Sequence, residues 1–245
     1  MNRGTGAPGH RGTGGQERFR CAGASVRRCV ALAVVLLCGA IPAAARAQDA
    51  GAILDRAVAV YGRITSFRAS FVQEVSDPMI GGGEPSRGEF LQQRPNRFAM
   101  RWTRPRGDLI LADSQYLWIY LPSSTPNQVI RSRLSGRAGE SADVIAEFLD
   151  RPRERFTVAY VRADRANGRE ADVIALTPRD RNAAYSLVHV WVDRQDTLVR
   201  KVEITEASGA VRRLTFDRLR INATIPASSF VFRPPAGIRV VDATP

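Results

Sequence analysis

Cysteine, lysine and histidine are scarce in this 245-residue chain, and each scarcity closes off a class of function. The three cysteines, Cys21, Cys29 and Cys38, all lie in the first 47 residues, so nothing from Gln48 onward forms a disulfide or a thiolate metal site. Beyond that point the one histidine is His189, and a single imidazole without a thiol cannot build the usual zinc or iron donor set. No G-x-S-x-G elbow accompanies it, and neither a P-loop nor a G-x-G-x-x-G turn occurs; the glycines at 81–83 have no helix after them. His189 alternates with Tyr185, Leu187 and Trp191 and reads as an ordinary strand residue. Acidic residues are present but none has a distinctive pairing. These absences argue against an enzyme, a metal or a cofactor, and for binding.

Lysine is reduced to Lys201; every other basic side chain is arginine, which reads as genome composition. The formal charge of +12 overstates any appetite for acidic partners. Seven of the 36 basic residues and one of the 24 acidic residues fall before Gln48, leaving 29 against 23, or +6. Those charges are scattered along strands with no nucleic-acid-binding module around them, so no nucleic-acid partner is expected.

Residues 1–47 have the grammar of an extended secretory signal peptide. Residues 1–28 are rich in Gly and Arg; Arg27 and Arg28 precede an apolar run from Val30 to Ile41, and Ala45-Arg46-Ala47 is a small-x-small cleavage pattern. The run is too short to span a bilayer as a helix. Leu37 stands before Cys38 where a lipoprotein box wants a small residue, which favours soluble release. Cleavage is expected near Ala47, leaving residues 48–245 as a single domain held by its core alone.

Within that domain "DAGAILDRAVAVYGRITSF" has helical spacing, with Ile53, Leu54, Ala57, Val58, Tyr61 and Ile64 on one stripe and Asp49 as N-cap. The period then becomes two: Phe67, Ala69, Phe71, Gln73 and Val75 share a face. Roughly eleven strands follow at about ten-residue spacing, ending in "SSFVFRPPAGIRVV". One short helix, "ESADVIAEFLDRP", interrupts them, carrying Val144, Ile145, Phe148 and Leu149, with Ser141 as cap and Pro152 beyond its end. The pattern predicts an antiparallel sandwich or barrel. "QYLWIYL" and "SLVHVWV" are apolar on both faces, which fits either central strands in a tight core or a sheet wrapped around a helix or cavity. In "GEFLQQRPNRFAMRW", Phe98, Met100 and Trp102 alternate onto one face, and Arg94 reads either as a turn residue or as a charge facing something apolar.

Four segments in order resemble the outer-membrane lipoprotein carrier (LolA) family: Phe67, Phe71 and Gln73 after an amphipathic helix, then "GEFLQQRPNRFAMRW", "DLILADSQYLWIYLP" and "FVFRPPAGIRVVD". A family Asp-Gly turn is replaced here by Asp113-Ser114. The resemblance implies a mainly β fold, an incomplete antiparallel barrel of about eleven strands, with a helical lid over a hydrophobic cavity. It implies a periplasmic chaperone that takes lipoprotein acyl chains released from the inner membrane and delivers them to the outer membrane. An inner-membrane ABC transporter would load it and an outer-membrane acceptor lipoprotein would receive the cargo; the carrier itself is expected to be a monomer. Arg94 becomes the expected lid latch. Phe71, Phe90, Phe98, Met100, Trp102, Leu111 and Trp118 become the expected acyl-chain residues, and Val144, Ile145, Phe148 and Leu149 the lid helix. A carrier or sensor of another lipid on the same fold, and a structural periplasmic β-domain, are the alternatives.

Overall fold

The structure, a computed structural model, describes residues 43–134 and 144–243. Residues 1–42 of the signal-peptide reading and Ser141 lie outside the described residues.

Helix α1 (Ala43–Arg63) buries Ala50, Ile53, Leu54, Ala57 and Tyr61, the stripe that the helical spacing predicts. It begins six residues before Asp49, which is therefore an interior residue and not the N-cap. The alanines at 43–45 are strong helix formers and carry the helix back past that point.

The strands are β1 (Ser66–Asp77), β2 (Gly81–Gly82), β3 (Ser86–Gln93), β4 (Arg97–Arg104), β5 (Arg106–Asp113), β6 (Tyr116–Tyr120) and β7 (Gln128–Arg133). Helices α2 (Val144–Leu149) and α3 (Pro152–Arg155) lead into β8 (Phe156–Ala166), β9 (Arg169–Pro178), β10 (Tyr185–Asp193), β11 (Val199–Glu206) and β12 (Val211–Ile221). A 3-10 turn (Ala227–Phe230) and β13 (Arg239–Ala243) complete the chain. Thirteen strands form among the described residues against roughly eleven expected; β2 has only two residues, and β13 is the end of the expected C-terminal strand.

All belong to one sheet, ordered β13-β7-β6-β5-β4-β3-β1-β12-β11-β10-β9-β8, with β2 paired to the end of β1. The outermost strands, β8 and β13, do not pair with each other, so the sheet is an unclosed barrel. Its two halves join where β1 meets β12, Phe71 opposite Phe216. Pairing is antiparallel except between β13 and β7, where Val240 runs parallel beside Val129. The expected C-terminal strand is broken for a physical reason. Pro234 and Pro235 supply no N–H, and the segment lies instead across the outer face through Ile225, Phe230 and Phe232 before returning to the β7 edge.

The two-sided apolar strands are covered differently on each side. Inside, Leu117 of β6 and Val188, Val190 and Val192 of β10 pack in the cluster that holds α1 and α2. Outside, Trp118 lies under Phe232, ring centroids 5.7 Å apart. Trp191 joins Ala166, Ala171 and Val173 and is capped by Lys201, whose Nζ sits 4.2 Å from the ring centroid.

At the β5–β6 turn, Ser114 takes φ 89, the region that glycine occupies without strain. Asp113 compensates: Oδ1 accepts the N–H groups of Gln115 and Tyr116, and Oδ2 accepts Trp118 Nε1, each at 2.8 Å. Burial pushes the Asp113 pKa up, but these bonds prevail and leave it lowered. Replacing Ser114 by Gly should raise stability by about 1 kcal/mol, roughly 2–4 °C in thermal midpoint. A lower midpoint would mean that the turn carries no strain.

Candidate functional site

The inner face of the sheet is built around Phe90. Its ring meets Phe67, Phe98 and Phe216 edge-on, at centroid distances of 5.6, 5.2 and 5.4 Å. Such T-shaped contacts set the positive ring edge against a negative ring face. Phe71 extends the group to Trp102 at 5.4 Å, and it lies so close to β3 that only glycine fits at position 88. A Cβ there would stand 2.7 Å from the Phe71 ring and 2.1 Å from the Arg101 carbonyl oxygen. Phe71, Phe90, Phe98, Met100 and Trp102, which the family resemblance groups, lie in one cluster on this face. That grouping misses Phe67 and Phe216 as site residues, although both sit at the right parity in "SFRASF" and "RLTFDR".

Register draws a line across this face. Phe90 is opposite Met100, Met100 opposite Ile110, Ile110 opposite Ile119, and Ile119 opposite Ile130. Phe90 and Met100 are buried, whereas Ile110, Ile119 and Ile130 are half-buried. An unbroken apolar row therefore runs from the core to a partly open side near β7. Sequence reasoning names only its first two members.

Leu111 and Trp118 lie elsewhere. They pack on the outer face with Leu91, Ala99, Leu109, Val129, Ile225 and Phe230, because β5 presents Ile110 and Ala112 to the inside. "DLILAD" is apolar at both parities, so alternation alone has no means of choosing.

Two helices lie on the inner face. Ile145, Phe148 and Leu149 of α2 are buried in the same cluster as α1; the side chain of Val144 lies outside the described set. Phe148 meets Tyr185 edge-on at 5.5 Å. On the other side of α2, the Tyr185 hydroxyl donates to Glu147 Oε1 at 3.4 Å, and Arg155 also donates to that oxygen. Burial and then the Glu147 charge push the Tyr185 phenol pKa up. Burial opposes the Arg155 charge, but the Glu147 bond prevails and raises its pKa.

Arg94 is exposed, at the tip of the β3–β4 turn. Its Nη2 donates to the Tyr61 carbonyl oxygen at 2.9 Å, and its backbone N–H to the Thr65 carbonyl at 2.9 Å. Tyr61 lies in the last turn of α1, where a cation suits the helix dipole, and its carbonyl also accepts the Ile64 N–H at 3.1 Å. The described bond thus holds α1, not the helix at 144–149 for which a latch was expected.

His189 is half-buried on the outer face, its Nδ1 3.4 Å from Glu203 Oε1 and its ring edge-on to Trp191. Among the described residues no group of three or more His, Cys, Asp or Glu could hold a metal ion, and no helix is long and apolar enough to cross a membrane. The arrangement is suited to covering and uncovering apolar surface.

A family model described as outer membrane lipoprotein carrier protein LolA matches residues 62–233. The outer-membrane lipoprotein carrier protein of Albidiferax ferrireducens is 31% identical over 187 residues, covering 73% of this chain and 85% of that one. Its counterpart from Alkalilimnicola ehrlichii is 27% identical over 214 residues, covering 87% and 94%. Among solved structures, an uncharacterized conserved protein from Thermus thermophilus shares the fold, with TM-score 0.51, 14% identity, and coverage of 80% of this chain and 100% of that one.

Single-tryptophan variants test which face binds. With Trp118 and Trp191 changed to Phe, the remaining Trp102 should be quenched by a brominated fatty acid. A variant that keeps only Trp118 should not be. Quenching of Trp118 alone would place binding on the outer face.

Proposed function

Since the chain belongs to the outer membrane lipoprotein carrier (LolA) family, we propose that it is a periplasmic carrier that takes lipoprotein acyl chains onto its inner face and delivers them to the outer membrane. The observation that carries this reading is the row Phe90–Met100–Ile110–Ile119–Ile130, which passes from beneath the helices to a half-open side. Helices α1 and α2 occupy that face, so an arriving chain gains room by displacing them. A carrier of this kind binds and releases; it is not an enzyme.

Magnitudes divide the labour among partners. Each buried methylene is worth about 0.8 kcal/mol, so lipoprotein chains of some 40 methylenes represent roughly 30 kcal/mol gross. Non-covalent affinity saturates near 20 kcal/mol. A soluble carrier therefore covers only part of the cargo and cannot pull it from a bilayer unaided. An energy-driven inner-membrane ABC transporter supplies that step, and an outer-membrane acceptor lipoprotein receives the cargo.

Arg94 sets the balance between holding and releasing. Its bond to the Tyr61 carbonyl keeps α1 on the sheet when no lipid is present. Breaking such a bond costs about 0.5–1.5 kcal/mol, and that cost is recovered when the cargo leaves and α1 closes again. Without the bond, the empty state is less favoured and cargo is retained.

Arg94→Leu should fold, bind lipoprotein and pass it on poorly, a several-fold loss measured as transfer from purified carrier to acceptor-containing vesicles. Normal transfer would remove Arg94 from the mechanism.

A further inference from the structure

Two arginines of α3 grip the inner helices, one each. Arg153 reaches α1: its Nε and Nη2 donate to Asp55 Oδ1 and Oδ2 at 2.9 and 2.6 Å. Its guanidinium lies flat against Gly51, where a Cβ would stand 2.5 Å from Nη2. Arg155, two residues on, reaches α2. Its Nη1 donates to the Glu147 carbonyl oxygen at 2.5 Å, and its Nη2 to the Glu147 carboxylate. The two grips differ in setting. Arg153 and Asp55 are 59% and 54% exposed at their side chains, against 28% and 19% for Arg155 and Glu147. Exposed pairs contribute little, while a sheltered charge-assisted pair that also bonds a backbone carbonyl is strong.

Three further features make α2 a flap with α3 as its mount. Pro152 is buried and starts α3, fixing the backbone there. Arg151, between the two helices, is in the left-handed region at φ 43 and ψ 52, an unusual place for a residue with a side chain and a natural pivot. The Arg155 guanidinium lies 5.2 Å over the Phe156 ring at the start of β8, so the grip is anchored in the sheet. A surface pocket of about 410 Å³, lined in part by Glu147, Arg155, Arg179 and Tyr185, brings solvent to the pair. The pair can therefore part without unpacking the core.

We propose that Arg155 is a second latch, which holds α2 over the inner face through Glu147 and acts independently of Arg94 on α1. Uncovering the apolar row then takes two separate events, one at each helix. The purpose of opening rests on the carrier reading above; the latch itself is tested without lipid.

Hydrogen exchange of the full domain decides it, using Arg155→Met, which keeps an apolar stem over Phe156. Amides of α2 should exchange about tenfold faster, with those of β3 and β4 unchanged. Arg94→Leu should speed exchange at the end of α1 and leave α2 alone, and the double variant should show both effects. The fluorescent apolar dye bis-ANS should be taken up faster by each single variant and fastest by the double. Unchanged α2 exchange in Arg155→Met would overturn the proposal. So would an equal rise throughout the sheet, or an α2 response to Arg94→Leu as large as to Arg155→Met. If Arg155→Met fails to fold, Glu147→Gln decides the same question by the same criteria, with a smaller rise expected because the carbonyl bond survives. Faster α2 exchange without any dye uptake leaves the latch standing and removes the carrier reading.

Discussion

Phe67, Phe71, Phe90, Phe98, Met100 and Phe216 all point to one side of a sheet whose outer strands, β8 and β13, never meet to enclose them. Leaving those six side chains in water would forfeit about 10 kcal/mol or more. A domain of this size has a total stability of roughly 5–15 kcal/mol. The inner face must therefore be covered at all times, by the protein's own helices or by something equally apolar. The amphipathic stripe of α1, the burial of Ile145, Phe148 and Leu149, and the bonds that hold both helices down all follow from that requirement.

The same constraint tempers affinity. Under the proposed function, a cargo whose chains are worth roughly 30 kcal/mol gross when fully buried would have to displace helices that already bury much of the same surface. On the proposed reading, the net gain is what remains after α1 and α2 lose their contacts, which keeps binding reversible. A sheet with a permanently open cavity would bind more tightly and release more slowly. Arginine suits the two contact points because its fork donates to carbonyl oxygens near helix ends, where a cation also suits the helix dipole.

Much of this is legible in the sequence where one parity is polar. The parity of "RFAMRWT" puts Phe98, Met100 and Trp102 on one side, and the stripe of α1 is plain from its spacing. Where both parities are apolar, as in "DLILAD" and "YLWIY", the face is decided by strand register, which the turns fix and alternation does not reveal. Leu111 and Trp118 are therefore expected on the wrong side, and Ile110, Ile119 and Ile130 are passed over. Arg94 stands out through its neighbours in a recurring segment; its partner, the Tyr61 carbonyl, is a backbone atom and leaves no mark in the sequence. Arg155 and Glu147 are invisible for a different reason: eight residues apart across a left-handed pivot, they meet only because Arg151 turns the chain back.

What occupies the inner face of the loaded protein decides whether it carries lipoprotein. Native mass spectrometry of the carrier isolated from its own periplasm, followed by release of bound material, reads this directly. A triacylated peptide or lipoprotein in one-to-one complex is the predicted result. A glycolipid or free phospholipid in its place, or a protein that carries nothing and takes up no lipoprotein when offered it, would contradict the central claim.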